Sequence, residues 1–164
     1  MTTANKITIG RIVAVPVFLL LAYLNKPVWA FAVYVLACVS DFLDGYIARH
    51  YNQITDFGKF MDPLADKMLV LAAMCFFVDK GQMPGWAVAI VLFREFAVSG
   101  MRLIAAAWSG KIKTAVTMVG LAAMLLFGGV PAVNGIVTAL IVLTTVYSGV
   151  EYFIKNKDVF SDVK

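Results

Sequence analysis

Histidine occurs once, cysteine twice, and charged side chains make up only 15% of the 164 residues. The sole histidine, His50, and the two cysteines, Cys38 and Cys75, have no CxxC spacing and no partner nearby, which leaves no soft-ligand metal site. Basic residues are not interleaved with aromatics as nucleic acid recognition requires, so no nucleic-acid partner is expected. Neither an internal repeat nor a low-complexity stretch divides the chain, and residues 1–164 read as one domain. What fills the sequence instead is hydrocarbon: 62% of residues are apolar and the mean hydropathy is +0.86, far above the roughly 45–50% apolar share of soluble proteins.

The apolar residues fall into six segments, 7–24, 29–50, 58–78, 84–107, 112–129 and 133–154. Each is close to the roughly 20 residues that carry a helix across a bilayer. Strict polar alternation, which a spanning barrel needs, is absent. The expected fold class is all-α, a polytopic membrane protein with six transmembrane helices surrounded by membrane lipids. The first segment is expected to be retained rather than cleaved, because Arg11 interrupts its start and LAYLNKP lacks a small-x-small cleavage pattern. With both ends placed in the cytoplasm, only Lys26 and Lys80 of the 14 Lys and Arg residues fall on the far side. That bias orients the chain.

The most unusual stretch is 40–67, SDFLDGYIARHYNQITDFGKFMDPLADK. Asp41 and Asp44 are spaced i,i+3, and Asp62 and Asp66 i,i+4, so each pair shares one helix face. An acid in mid-membrane costs about 2.5–3.5 kcal/mol, and four bare acids would cost about 10–14 kcal/mol. Two divalent cations would cancel their charge, and an oxygen-only donor set favours a hard ion, Mg²⁺ or Mn²⁺. The alternative is solvated helix-end charges paired with Arg49, Lys59 and Lys67. The short polar connection between segments two and three makes them antiparallel neighbours, with the two acid pairs opposed. Thr55 and Asp56 lie where a bound head group could be reached, and His50 reads as interfacial.

A second polar group lies further on. Arg94, Glu95 and Arg102 interrupt an apolar run, and GKIKT at 110–114 adds Lys111 and Lys113. Ionisable residues at that depth are functional by default, and Arg94, Arg102, Lys111 and Lys113 form a basic pocket suited to a phosphate. Arg94 and Glu95 point about 100° apart on a helix and need not pair. Arg11 has two readings, snorkelling to the interface or meeting an anionic ligand. Segments five and six read as scaffold without convergent polar groups.

Eight of these residues, Asp41, Asp44, Gly45, Ala48, Arg49, Gly58, Asp62 and Asp66, match without a gap the DxxDGxxAR, eight residues, GxxxDxxxD signature. On that match the chain resembles the CDP-alcohol phosphotransferase family. ITIGRIVAVP, REFAVSGMR and GKIKT look like its phosphatidylglycerophosphate-forming branch, with one departure: Thr117 stands where that branch usually has glutamine. The resemblance implies six membrane helices, a homodimer and two divalent ions, one held by Asp41, Asp44 and Asp62 and the other by Asp41, Asp62 and Asp66. It also implies that Gly45, Arg49 and Thr55, with Asn5 to Thr8, contact the CDP moiety, and that Asp66 is the general base. The expected reaction joins CDP-diacylglycerol and sn-glycerol 3-phosphate at the cytoplasmic face. Rival expectations keep the chemistry with another acceptor, inositol phosphate, serine or phosphatidylglycerol, or make the acids the path of a divalent-cation or proton-coupled transporter.

Overall fold

A computed structural model describes residues 3–50, 56–100 and 108–155, with side chains described for 7–40, 65, 67–98 and 108–155. Among the described residues there are six α-helices and no strand: α1 (Thr3–Tyr23), α2 (Pro27–His50), α3 (Asp56–Asp79), α4 (Gly85–Gly100), α5 (Trp108–Phe127) and α6 (Pro131–Lys155). Each starts within about a turn of the segment that hydropathy predicts.

Local chemistry sets the ends. Pro27 and Pro131 open α2 and α6, positions where the missing N–H would have no helical acceptor anyway. Two helices close with the same device. Asn25 takes a left-handed φ of 55°, with Lys26 N–H donating to Leu21 C=O at 3.1 Å, and Gly81 takes φ 66°, with Gln82 N–H donating to Phe77 C=O at 2.8 Å. These bonds satisfy carbonyls that the helix leaves unpaired. α1 continues through Pro16, so that proline does not end it.

The helices pack by buried stripes at alternating three- and four-residue spacing, the pattern of near-parallel helix packing. On α1 the stripe is Thr8, Arg11, Val15, Phe18 and Ala22, and on α6 it is Asn134, Thr138, Ile141, Thr145, Ser148 and Tyr152. α1 lies against α2 and α3, α5 against α2, α3 and α6, and α4 against α3 and α6. Phe18, Tyr34, Leu69, Met74, Phe77, Leu121, Met124 and Ile141 fill the middle. At one end of the bundle Tyr23 meets Phe76 edge-on, with centroids 5.2 Å apart, and Lys80 sits 5.5 Å above the Tyr23 ring. At the other end Lys67, Glu95, Lys113 and Ser148 converge, so successive helices alternate in direction.

Large apolar side chains also cover the outside. Leu36, Phe93, Phe96, Trp108, Val119 and Leu143 are each about two-thirds exposed or more. A surface of that kind suits hydrocarbon and not water. α5 and α6 are both long and apolar enough to cross a membrane, with mean hydropathies of 1.5 and 1.7, and the apolar described stretches of α1 and α2 are shorter. Cys38 is half-buried and Cys75 exposed, and neither is in a disulfide.

Candidate functional site

The centre of the polar end is Glu95. Its Oε1 accepts a hydrogen bond from Lys113 Nζ at 2.6 Å and another from Arg94 Nη1 at 3.1 Å. Its Oε2 lies 3.6 Å from Lys67 Nζ. One carboxylate therefore gathers cations from three helices. The group grades from interior to surface: the Lys113 side chain is 5% exposed, Arg94 12%, Glu95 21% and Lys67 36%. An isolated ammonium as deep as that of Lys113 is costly, and a direct hydrogen bond to a carboxylate offsets much of the cost.

Arg94 is held from a second side. Its Nη2 donates to Ser148 Oγ on α6 at 2.6 Å, and Ser109 Oγ on α5 lies 3.4 Å from the same oxygen. Space for the guanidinium comes from two glycines. A Cβ on Gly110 would lie 3.2 Å from Arg94 Nη2, and one on Gly149 would lie 3.6 Å from Arg94 Cγ. The arginine thus threads a gap between α5 and α6 that only small residues leave open.

Beside the cluster, α3, α4 and α5 line an open cavity of about 270 Å³. Its polar end is made by Lys67, Glu95, Lys113, Thr114 and Thr117, and its walls are apolar. Thr117 is buried and donates its hydroxyl to Lys113 C=O at 2.8 Å, one turn back on its own helix. Such a pocket, with apolar walls and a few convergent charges, is what small polar ligands occupy.

Of the expected phosphate-binding residues, Arg94 and Lys113 come together. Lys111 does not join them: it is exposed, with its ammonium 5.2 Å above the Trp108 ring. Two positions apart on a helix, Lys111 and Lys113 lie on different faces. Arg102 and Thr55 lie outside the described residues. Thr8 is buried on α1, and so is Arg11, which does not snorkel outwards. Asn5 belongs to α1, and Gly45 and Arg49 to α2, as backbone positions.

The four aspartates are likewise placed by backbone, Asp41 and Asp44 in the last turns of α2 and Asp62 and Asp66 in the first half of α3; their side chains lie outside the described residues. Their register is informative. Positions 41 and 44 continue the spacing of buried Ala30, Tyr34 and Ala37. Positions 62 and 66 precede buried Leu69, Ala73 and Phe76 at the same spacing.

One sequence expectation needs correction. α5 and α6 are not bare scaffold, since Ser109, Lys113 and Ser148 converge on Arg94 and Glu95. Arg94 and Glu95, which as adjacent, out-of-phase positions need not pair, do so, with Arg94 Nη1 3.1 Å from Glu95 Oε1. Glu95 and Ser148 join the cluster although the sequence pattern assigns neither a ligand to hold. The signal for Ser148 was its place in the buried stripe of α6, where four of the six positions are Asn, Thr or Ser.

Comparison with known proteins places these features in a family. The profile of the CDP-alcohol phosphatidyltransferase family matches residues 1–147. A Bacillus subtilis (strain 168) protein named CDP-diacylglycerol--glycerol-3-phosphate 3-phosphatidyltransferase is 37% identical, with 93% of each chain covered. A Mycobacterium tuberculosis (strain ATCC 25618 / H37Rv) protein named probable phosphatidylglycerophosphate synthase is 38% identical over 91% of this chain and 78% of its own. A Rickettsia bellii (strain RML369-C) protein with the same name as the Bacillus one is 45% identical over 60% of this chain and 56% of its own.

Proposed function

The chain belongs to the CDP-alcohol phosphatidyltransferase family, and from that premise we propose that it transfers a phosphatidyl group from CDP-diacylglycerol to sn-glycerol 3-phosphate. The products are phosphatidylglycerophosphate and CMP. The observation that carries the acceptor is the cluster in which Lys113 and Arg94 share one oxygen of Glu95 beside an open cavity. Those cations suit a phosphate-bearing acceptor over an uncharged alcohol. The names of the Bacillus and Mycobacterium relatives support the same reaction.

Asp41, Asp44, Asp62 and Asp66 are the residues proposed to hold two divalent cations, Mg²⁺ or Mn²⁺. Their register, continuing the spacing of the buried stripes of two neighbouring helices, supports that role, since four acids within apolar runs call for counter-charge. An all-oxygen donor set suits a hard ion. When bound, such ions supply charge neutralisation at the pyrophosphate and at departing CMP. Asp66 takes the proton from the acceptor hydroxyl as that oxygen attacks the phosphorus bearing diacylglycerol, and the bond from that phosphorus to CMP breaks. Gly45, Arg49 and Thr55, with Asn5 and Thr8, contact the CDP moiety. Arg94, Lys113 and Arg102 hold the acceptor phosphate, and Lys111, at the exposed start of α5, draws it in.

In this reading all six helices cross the membrane as a homodimer's subunit, with the polar end at the cytoplasmic face, where a soluble acceptor meets a lipid donor. The deciding experiment is identification of the radiolabelled product formed by purified protein in detergent micelles from CDP-diacylglycerol and glycerol 3-phosphate. Phosphatidylglycerophosphate with stoichiometric CMP is expected. A different lipid product, or none while another acceptor is consumed, sinks the assignment.

A further inference from the structure

Glu95 occupies the place that a phosphate needs. Two cations, buried Lys113 and largely buried Arg94, both donate to its Oε1, at 2.6 and 3.1 Å, and the carboxylate lies at the polar end of the 270 Å³ cavity. A carboxylate brings one negative charge to that position. A phosphate monoester brings about −1.5 to −2 with three acceptor oxygens, and is the stronger partner for the same donors.

The surroundings are built for an exchange of anions without movement of helices. Arg94 has anchors besides Glu95, its hydrogen bond to Ser148 and its seat between Gly110 and Gly149. Lys113 is fixed by its place on the buried stripe of α5. Glu95 is more exposed than either cation that donates to its Oε1, at 21% against 5% and 12%, and its side chain has rotamers that leave the cluster.

We infer that Glu95 is a stand-in anion: in the ligand-free protein it holds Lys113 and Arg94 in position, and the phosphate of the acceptor displaces it from Lys113 on binding. It is a positioning residue, and the inference rests on the reading of this cluster as the acceptor-phosphate site. Its consequence is an unusual sign. Removing a residue from a binding site ordinarily weakens binding, whereas removing a resident competitor strengthens it.

The test uses the full chain in detergent micelles, with wild type, Glu95→Gln and Glu95→Asp. Melting temperature is followed against inorganic phosphate and glycerol 3-phosphate, with glycerol as the uncharged control. Without anion, Glu95→Gln melts below wild type, because the three cations around it lose their charged partner. Inorganic phosphate restores it, with an apparent Kd on the order of tenfold below that of wild type. Glu95→Asp, which keeps the charge but reaches one methylene less far, falls between the two. If Glu95→Gln does not hold its fold, Glu95→Asp decides alone: tighter phosphate binding than wild type supports the stand-in. Equal or weaker phosphate binding in the variants overturns it, while transfer to glycerol 3-phosphate by wild type leaves the proposed function standing. Absence of both phosphate binding and transfer in wild type removes both.

Discussion

Arg94 on α4 and Ser148 on α6, 54 residues apart in sequence, are joined by a 2.6 Å hydrogen bond at the edge of the cationic cluster. The bond fixes the guanidinium independently of Glu95. Ser148→Ala leaves a nearly buried arginine with one partner fewer, and hydrogen bonds to charged groups contribute about 1.5–3 kcal/mol. The expected result is a rise of about tenfold or more in KM for glycerol 3-phosphate, with the KM for CDP-diacylglycerol little changed. Steady-state kinetics with each substrate varied in turn checks this.

The two glycines around Arg94 separate into one where a methyl group would sit in ordinary contact and one where it would crowd the guanidinium tip. At Gly110 the new Cβ lies 3.2 Å from Nη2 and would shift the guanidinium that bonds Ser148 by a few tenths of an ångström, whereas at Gly149 it lies 3.6 Å from Cγ in ordinary contact. Gly110→Ala should therefore lower kcat/KM for the acceptor several-fold, and Gly149→Ala much less. Equal effects at both sites would show that the gap is not shaped for this arginine.

Lys113 and Lys111 sit two positions apart on α5 in contrasting surroundings, one buried against Glu95 and the other exposed over Trp108. Lys113→Met removes a cation donating to Glu95 and is expected to cost at least about a hundredfold in kcat/KM, near 2.7 kcal/mol. Lys111→Met is expected to cost a small fraction of that, and to lose its effect at high salt, since exposed charges are screened. The ionic-strength dependence of both variants is the measurement.

Packing makes an independent prediction at Gly120, where a Cβ would lie 2.8 Å from Val137 Cγ1 across the α5–α6 contact. Gly120→Ala should destabilise the protein by about 1–3 kcal/mol, as overpacked cores do. Combining it with Val137→Ala should restore most of the melting temperature. Failure of the double variant to recover would place the strain elsewhere.

The proposed acid site predicts that chelation by EDTA abolishes transfer and that Mg²⁺ or Mn²⁺ restores it. Asp66→Asn should abolish turnover while CDP-diacylglycerol binding stays measurable by isothermal titration. Near-normal CMP release from that variant removes Asp66 as the base.

Much of the architecture is legible in the chain because an apolar run of membrane length has few alternatives to a helix. The starts of α2 and α6 carry an added mark, a proline at the first position. The acid pairs are visible for a related reason, since charged residues in such runs stand out. The cationic cluster is only half legible. Arg94 and Lys113 announce themselves by charge, but their convergence depends on how α4, α5 and α6 cross, which spacing along one helix does not encode. Ser148 shows the limit most clearly. A single hydroxyl in an apolar helix is common in membranes, and its role follows from an arginine on another helix that happens to reach it.

The apolar girdle formed by residues such as Leu36, Phe93 and Val119 has a consequence for how the protein meters its work. Donor and protein share a two-dimensional film, so the quantity that governs encounter is molecules per area of that film, and not per volume of buffer. Adding empty detergent at fixed total donor should slow turnover by surface dilution alone.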